Sequence, residues 1–326
     1  MERTMSDDAP RRVVVDTDTA GDDAQAILMA VLSDRLDVDG LTIVAGNVEF
    51  DYEVENAKYA LDLAGAAGDV PVHEGARSPL LKDHEHADYV HGEGGLGGDL
   101  FPDTGIPSAD EHAVDYILRT VREDPGEVSL LCIGPLTNVA MALQREPDLN
   151  DYVDEVWAMG GAVHAPGNVT PAAEFNFWVD PDAAKLVLRE LDVTLVDWGL
   201  SLSASVIDGE AFDRFADADT PYADFVRTIS EPVREFTREE QGIDGATQPD
   251  SLTVALAMAP ELRESVGTYH ADVDEREGLT RGHSVVDTTG VTDRPARTRV
   301  VEAADAALFE EMFAGMVEAG DPERPL

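Results

Sequence analysis

The sequence predicts an α/β protein: a single Rossmann-like domain in which a mostly parallel, open sheet is flanked by helices. Two observations carry this prediction. Short apolar segments rich in Val, Ile and Leu alternate along the chain with longer segments whose apolar residues recur at helical spacing. The connections are short, and no internal repeat or compositional break divides the 326 residues. Alternation of this kind is typical of a parallel sheet covered by helices on both faces.

The first strand and the first helix are the most clearly marked elements. Val13 to Val15 is a β-branched run that indicates a buried strand, and a helix begins at Asp22 or Asp23 and continues to Val31. Further strands are predicted at residues 41–45, 70–72, 128–133, 153–159, 193–196, 285–286 and 298–301. Further helices are predicted at residues 52–64, 113–122, 135–144, 182–189, 222–240, 252–259 and 304–317. Residues 77–107 are polar and Gly-rich, which indicates a long and therefore functional loop.

The first residues lack an apolar core, so we expect no signal peptide at the N-terminus. We expect residues 1–11 to be a disordered leader and residues 12–326 to form the domain. The single cysteine, Cys132, falls in an apolar strand and is predicted to be a core residue, so no disulfide framework exists. No run of 18 apolar residues predicts a membrane span, and we expect a cytoplasmic protein.

The charge of the chain is extreme: 67 acidic residues face 23 basic ones, a formal net charge of −44. Such self-repulsion destabilises a compact state in dilute buffer, whereas at molar salt the Debye length falls to about 3 Å. We therefore predict a halophilic host with a salty cytoplasm. The charge also argues against a nucleic-acid partner, which requires a basic surface. A hydrophobic content of 43% is ample for a packed core and excludes intrinsic disorder.

Four carboxylates lie between the first strand and the first helix: Asp16, Asp18, Asp22 and Asp23. The carboxyl end of a strand and the amino end of the next helix form the crevice where open α/β sheets bind ligands. Carboxylates that converge there repel one another and carry raised pKa values unless a cation holds them together. A hard, oxygen-ligated ion such as Ca²⁺ or Mg²⁺ is the natural partner.

A solvated acidic surface and an EF-hand loop are the two other interpretations of these acidic residues. In so acidic a chain, a local cluster can be plain solvated surface, but its position directly after an apolar strand favours a site. An EF-hand loop is excluded: Asp16, Asp18 and Gly21 fit positions one, three and six, but Ala20 and Ile27 fall at positions five and twelve, where a glutamate should close the loop.

Several segments, in order, resemble the inosine–uridine preferring nucleoside hydrolase family. They are DTDTAGDDAQAIL at residues 16–28, the pair Gly46 and Asn47, HGEGGL at 91–96, IGPLTNVAMAL at 133–143, residues 159–184, and RGHSVVD at 281–287. The likeness extends from about Val13 to the C-terminus. It implies the fold of that family, which is the α/β fold predicted above, and the hydrolysis of the N-glycosidic bond of ribonucleosides with a bound Ca²⁺. It also implies a homodimer or homotetramer.

The resemblance assigns a role to individual residues. Asp18, Asp23 and Asp250 match the metal-binding carboxylates, and Ile133 matches a position whose backbone carbonyl binds the ion. Asp18 also matches the base that takes a proton from the metal-bound water, and Asp16 would support the cluster from behind. Substrate contacts are implied for the following: Asp22, Asn176 and Asp250 with the ribose 2′- and 3′-hydroxyls, Asn168 and Glu174 with the 5′-hydroxyl, and Asn47 and Met159 in the pocket wall.

These residue types suit that chemistry. Breaking the bond between C1′ and the base leaves an oxocarbenium-like sugar, whose positive charge converging carboxylates stabilise. A bound ion orients the diol and lowers the pKa of the attacking water. Side chains that grip several hydroxyls make the site demand ribose, because a missing partner leaves a buried polar group unpaired. Ca²⁺ suits such a site better than Mg²⁺, since its coordination is larger and more flexible.

The leaving group is where the sequence departs from the family pattern. Members of the inosine–uridine type carry a histidine immediately before the late aspartate, and Pro249 stands there. His91 is the remaining candidate acid, although it can equally be a loop histidine that binds only backbone. Phe175, Trp178 and Trp198 are candidates to stack on a base, or else core residues.

Two alternative functions stay open at this point. A haloacid-dehalogenase-like phosphatase would use Asp16 as nucleophile with Mg²⁺, but it expects Thr or Val where Ala20 stands and a later lysine for which only Lys185 is available. A non-catalytic, Ca²⁺-dependent nucleoside-binding protein is favoured by Pro249 and disfavoured by the complete acidic set.

Two further motifs are assigned lesser roles. His84, Glu85, His86 and His91 suggest a zinc site, but without cysteines or a helical HExxH motif a solvated loop is the favoured interpretation. Asn138 can be a structural contact at a helix start or a catalytic residue.

Overall fold

A computed structural model describes residues 9–97, 100–215, 218–242 and 244–319. The strands within these ranges are β1 (Arg11–Thr17), β2 (Leu36–Ile43), β3 (Val72–Glu74), β4 (Val128–Cys132), β5 (Val156–Met159), β6 (Val193–Val196), β7 (Val206–Asp208), β8 (Gly245–Thr247), β9 (Arg263–Tyr269), β10 (Ala271–Val273), β11 (Ser284–Val286) and β12 (Thr298–Ala304). The α-helices are α1 (Gly21–Leu32), α2 (Phe50–Leu63), α3 (Asp88–His91), α4 (Ala113–Glu123), α5 (Thr137–Arg145), α6 (Phe175–Val179), α7 (Pro181–Glu190), α8 (Trp198–Ala204), α9 (Gly209–Phe215), α10 (Pro221–Phe236), α11 (Pro249–Met258) and α12 (Ala306–Val317).

The main sheet confirms the predicted fold class. Its strand order is β3-β2-β1-β4-β5-β6-β12-β9, and every neighbouring pair is parallel except β12 with the edge strand β9. The chain winds outward from β1 in both directions, since β2 lies on one side of it and β4 on the other. A reversal of this kind opens a crevice at the carboxyl end of the central strand. That end is where the acidic residues follow.

Helices cover both faces of the sheet, which explains the unbroken Val13 to Val15 run. Val13 and Val15 belong to the apolar core that includes residues of α1, α2, α11 and α12. Val14 points to the other face and packs in the core that includes residues of α4, α5 and α7. Because side chains alternate between the faces of a strand, only a strand buried on both sides is apolar at every position.

The element bounds differ from the predicted ones where pairing overrides local sequence. β1 begins at Arg11, which was predicted to belong to the leader, and residues 1–8 of that leader lie outside the described residues. β2 begins at Leu36 rather than at residue 41, because its polar first half pairs with β1. The edge strand β9 and the antiparallel pair of β7 and β8 carry no strand pattern that stood out in the sequence. The predicted loop at 77–107 contains the short helix α3.

Two smaller expectations can be compared with the structure. Cys132 is fully buried at the end of β4, as predicted for a core residue. Within the described ranges, no helix combines the length and the apolar character needed to cross a membrane.

Candidate active site

Several chain segments meet at the carboxyl edge of the sheet. The loop from β1 to α1 brings the acidic residues, the ends of β4 and β5 bring Ile133 and Met159, and α11 begins beside Asp250. Because parallel strands end at the same edge, residues far apart in sequence are placed side by side there. The site is therefore a product of the sheet topology and not of one local motif.

Asp16 anchors the start of this edge from inside the sheet. Its Oδ1 accepts hydrogen bonds from Thr42 Oγ1 at 2.6 Å and Asn138 Nδ2 at 2.8 Å. Burial raises the pKa of Asp16 to about 7. Asn138 also donates to the carbonyl of Ile43 and accepts from the amide of Ala76. Its contacts are therefore structural, and they hold neighbouring loops against the sheet.

Asp23 is held in place by three donors. Thr17 Oγ1 donates to Oδ1 at 2.7 Å, while the amide of Ala20 and Asn47 Nδ2 donate to Oδ2 at 3.0 and 3.2 Å. Asn47 Nδ2 also donates to the backbone carbonyl of Asp18 at 3.1 Å. Burial raises the pKa of Asp23 to about 7. Asn47 thus fixes the two acidic residues relative to each other.

Asp18 is packed where no donor reaches it. Its carboxylate lies against Gly46 and Gly134: a Cβ atom on Gly46 would come within 1.9 Å of Oδ2, and one on Gly134 within 2.6 Å of Oδ1. Among the described residues, neither carboxylate oxygen of Asp18 has a hydrogen-bond partner. Burial, and then the charges of Asp23 and Glu53, raise the pKa of Asp18 well above its usual range.

Three carboxylates converge closely enough to share a cation. Asp22, Asp23 and Asp250 each offer one oxygen, and these oxygens lie within 4.8 Å of one another. Burial and the charges of Asp22 and Asp23 raise the pKa of Asp250 well above its usual range. An oxygen-rich cluster of buried like charges, with unpartnered oxygens on Asp18 and Asp22, fits a hard divalent ion. Asp22 joins this group although it was predicted as a sugar contact, whereas Asp18 lies outside it.

Asp22 and Asp250 of this cluster line a cleft of about 920 Å³, a volume that includes its open mouth. Among the residues that line the cleft are nine of the predicted site residues: Asp22, Asn47, His91, Ile133, Met159, Asn168, Glu174, Asn176 and Asp250. Asp18 and Asp23 lie behind its wall, with exposed fractions of 1% and 0%. The sequence-predicted residues are thus gathered in one place.

The wall beside the cluster is fixed by Asn176. Its Nδ2 donates to the carbonyls of Ile133 and Met159 at 3.1 and 3.2 Å and lies 3.4 Å from Met159 Sδ. This orients the amide and ties the ends of β4 and β5 to α6. The Ile133 carbonyl keeps a second lone pair, since a carbonyl oxygen accepts two hydrogen bonds or ligands.

Glu174 is the N-cap of α6. Oε1 accepts from the amide of Asn176 at 2.9 Å, and Oε2 accepts from the amides of Gly161 and Phe177 at 2.7 and 3.3 Å. Burial nevertheless raises its pKa to about 7. Asn168 lies at the exposed mouth, where its Oδ1 accepts from the amide of Phe175 at 3.0 Å. Both predicted 5′-hydroxyl contacts therefore also organise the backbone.

His91 ends α3 and faces the acidic cluster. Its Nδ1 lies 3.9 Å from Asp22 Oδ1, too far for a hydrogen bond, and no described residue is its partner. Burial lowers the pKa of His91, and the Asp22 charge only partly opposes this. A neutral imidazole there can donate one hydrogen bond, and it can give up a proton only after it has itself been protonated.

The comparisons with known proteins decide the family. The model of the inosine-uridine preferring nucleoside hydrolase family matches residues 13–311. The chain belongs to this family. It is 35% identical over 304 residues to the pyrimidine-specific ribonucleoside hydrolase RihA of Citrobacter koseri, covering 93% of this chain and 96% of that protein.

Solved structures of nucleoside hydrolases share the fold. A plant nucleoside hydrolase, the PpNRh1 enzyme, superposes with a TM-score of 0.88 at 31% identity, over 95% of this chain and 99% of that chain. A purine-preferring ribonucleoside hydrolase from Gardnerella vaginalis superposes with a TM-score of 0.87 at 29% identity, over 94% and 98%. The resemblance found in the sequence is thereby confirmed. The protein is a ribonucleoside hydrolase, which removes the phosphatase and the non-catalytic alternatives.

The aromatic and histidine candidates separate in the structure of this nucleoside hydrolase. Phe175 and Trp198 line the cleft, whereas Trp178 is absent from its wall and packs against Arg281, whose guanidinium lies 4.3 Å from the ring centroid. His84 binds the carbonyl of Gly46 through Nε2. In the described part of the chain, no group of metal-suited side chains includes His84 or its neighbour His86.

Sequence reasoning missed one part of the cleft wall. It is built by α10 and by the segment that leads into α11, and it includes Ile229, Ser230, Val233 and Gln248. Gln25 of α1 was also missed. The one available signal was a polar residue on an otherwise apolar helix face. That signal is weak, because nothing in the local sequence tells which helix face meets the cleft.

Proposed function

We propose that this nucleoside hydrolase cleaves the N-glycosidic bond of ribonucleosides with water, giving ribose and the free base, and that Ca²⁺ is its cofactor. The observation that carries the proposal is the set of buried carboxylates beside the cleft, with oxygens that lack partners among the described residues. A site of this kind is costly to form unless a cation and a polyol fill it. A site that only stacks a base does not need such a cluster of buried carboxylates.

The ion would be held by Asp18, Asp23, Asp250 and the carbonyl of Ile133, with Asp22 close to the same position. When bound, a divalent ion supplies positive charge that anchors the ribose diol and lowers the pKa of the attacking water. Ca²⁺ is favoured over Mg²⁺ because a cluster of several carboxylates and a carbonyl suits a larger, more flexible coordination shell.

Asp18 is the proposed general base. Its carboxylate oxygens have no hydrogen-bond partner among the described residues, which leaves them free to take the proton of the water. The negative charge of Asp22, Asp23 and Asp250 stabilises the positive charge that develops on the sugar as the bond to the base breaks. The same carboxylates would therefore favour the transition state over the neutral substrate.

The remaining contacts would select ribose. Asp22, Asn176 and Asp250 are proposed to bind the 2′- and 3′-hydroxyls, and Asn168 and Glu174 the 5′-hydroxyl. The fixed amide of Asn176 and the capped carboxylate of Glu174 support this, because side chains already held by the backbone bind at a lower entropic cost. Asn47 and Met159 would complete the wall around the sugar.

His91 is the proposed acid for the leaving base, since Pro249 has no proton to give. The His91 imidazole lies on the cleft wall beside Asp22, and in its protonated form it would give a proton to the departing base. Proteins similar to this chain include a pyrimidine-specific ribonucleoside hydrolase and a purine-preferring one, so the proposal covers ribonucleosides as a class.

The test is ribose release from inosine, adenosine, guanosine, uridine and cytidine, in molar KCl, with Ca²⁺ and again after chelation. We expect release that chelation abolishes and Ca²⁺ restores, while Mg²⁺ restores less. Release that a chelator leaves unchanged would contradict the cofactor. A folded protein that releases ribose from none of the five would contradict the substrate class.

Other features of the protein stay predictions of the sequence. A homodimer or homotetramer is expected by family resemblance and is tested by light scattering at high salt. The cytoplasmic location is likewise untested. The net charge of −44 supports the prediction of a halophilic host.

A further inference from the structure

Three buried polar side chains in the cleft wall have no role in the chemistry above. Gln25, Ser230 and Gln248 come from α1, from α10 and from the residue before α11, and each is 2% exposed. All three line the cleft. Within the described ranges, Gln25 Oε1, Ser230 Oγ and Gln248 Oε1 lack a hydrogen-bond partner. Buried polar atoms are almost always paired, so three such atoms in one cleft are suited to bind the polar groups of a ligand.

The orientation of Gln25 is determined by its own helix. Its Nε2 donates to the carbonyl of Gly21 at 3.2 Å, so Oε1 must be the atom left over as an acceptor. Gln25 follows Asp22 by three positions on α1 and therefore lies on the same helix face. The unpartnered acceptor thus adjoins the end of the cleft where the sugar is proposed to bind.

The side chains of Ser230 and Gln248 do not make the hydrogen bonds to nearby backbone that are usual at their positions. A serine within a helix commonly donates to the carbonyl four residues earlier, but Ser230 makes no such bond. At the start of α11, the backbone amide of Gln248 donates to the carbonyl of Ser205 at 3.0 Å and to its Oγ at 3.1 Å. The Gln248 side chain makes no cap hydrogen bond with α11.

Apolar side chains surround these three polar groups. Ile229, Val233, Ala246 and Trp198 line the same cleft, and Ile229 and Val233 flank Ser230 on α10. A heterocyclic base has flat apolar faces and a polar edge of N–H and C=O groups. A pocket that combines apolar walls with a few placed polar atoms is suited to such a ligand.

We infer that Gln25, Ser230 and Gln248 bind the polar edge of the nucleobase and determine which bases the enzyme accepts. The inference rests on the proposed function, because it assigns the second half of the same substrate. Two amide oxygens and a hydroxyl form an acceptor-rich edge, which favours bases that present N–H donors. Uridine and inosine present such a donor in the ring, and methylation of that nitrogen removes it.

The test compares two leaving groups on the same ribose. Uridine and inosine carry an N–H edge, whereas the nitrophenolate of p-nitrophenyl β-D-ribofuranoside does not. For Ser230→Ala and Gln248→Met, we expect the ratio of kcat/KM for the nucleoside to kcat/KM for the nitrophenyl riboside to fall about tenfold, the effect of one lost hydrogen bond that leaves its partner unpaired. Wild-type enzyme should also discriminate against N3-methyluridine.

Two matched variants control for general damage. Thr228→Ala removes a hydroxyl from the exposed side of α10, and Gln144→Met replaces an exposed glutamine of α5. Neither should change the ratio. Should Gln248→Met fail to fold, as judged by circular dichroism, Ser230→Ala decides alone. Failure of the proposed function and failure of this residue assignment would give different results. A wild-type protein inactive on both substrate types contradicts the proposed function itself, whereas an active wild type whose ratio is unchanged in the variants overturns only the assignment of these residues.

Discussion

The Asp18 carboxylate is surrounded by like charge and by two glycines rather than by donors. Asp18→Asn keeps the size of the side chain but cannot accept the proton of the attacking water. We expect kcat to fall by about 10²–10⁴-fold, the usual contribution of a general base. The fold should persist, since the substitution removes a charge that burial disfavours. Ribose release measures the first effect, and thermal unfolding the second.

Metal binding separates the two roles of Asp18. Because Asp22, Asp23 and Asp250 already form a group that could hold an ion, Asp18→Asn should still gain thermal stability when Ca²⁺ is added. An Asp18→Asn protein that hydrolyses nucleosides at the wild-type rate would show that another group is the base.

The glycines beside Asp18 give a second prediction at the scale of one residue. A Cβ atom on Gly46 would lie 1.9 Å from Asp18 Oδ2, so Gly46→Ala must displace the carboxylate or the loop after β2. We expect activity to fall by at least tenfold and the free energy of unfolding by about 1–3 kcal/mol, as for other overpacked sites. Gly68→Ala is the matched control, since a Cβ there has no atom within 4 Å. Normal kinetics in Gly46→Ala would argue against the catalytic role of Asp18.

At the scale of an element, the cap of α6 links a helix to the pH dependence of stability. Burial raises the pKa of Glu174 from 4.5 to about 7 in the folded protein. A carboxyl whose folded pKa is raised contributes stability that is full below the unfolded pKa and is lost as pH rises through the folded pKa. Relative to Glu174→Gln, the wild type should therefore lose up to about 3 kcal/mol between pH 4 and pH 8.

The measurement is urea unfolding of both proteins at several pH values in molar KCl. The quantity that matters is the free energy of unfolding of the wild type minus that of Glu174→Gln. Its decline with pH supports the raised pKa, whereas a constant difference would mean that the backbone amides of Gly161 and Asn176 stabilise the charged form fully.

An element of the structure could be predicted when the residues that determine it lie close together in the sequence. The Val13 to Val15 strand was predictable, because a strand buried on both faces is apolar at every position. The acids after it were predictable as well, because the turn from this strand to the next helix lies within twenty residues of sequence. β9 was not, since its polar, exposed sequence is a strand only by pairing with β12. The place of Ser230 and Gln248 in the cleft wall could not be predicted, since α10 and the segment before α11 reach the cleft through packing between distant parts of the chain.

The whole molecule adds a prediction that no single residue carries. With a formal net charge of −44, repulsion between surface carboxylates opposes folding, and it weakens as salt shortens the Debye length from about 10 Å at 0.1 M to about 3 Å at 1 M. We expect the melting temperature to rise by at least 10 °C between 0.1 and 2 M KCl. Most of the gain should come below 1 M, where screening changes most.

The salt series also distinguishes repulsion from other salt effects. If screening is the cause, NaCl and KCl should stabilise the protein equally, and Ca²⁺ should act at far lower concentration because it binds a site. A gain that instead keeps rising steeply above 1 M would indicate exclusion of salt from the protein surface. A protein most stable at 0.1 M KCl would contradict the halophilic host, since its 67 acidic residues would then be tolerated without screening.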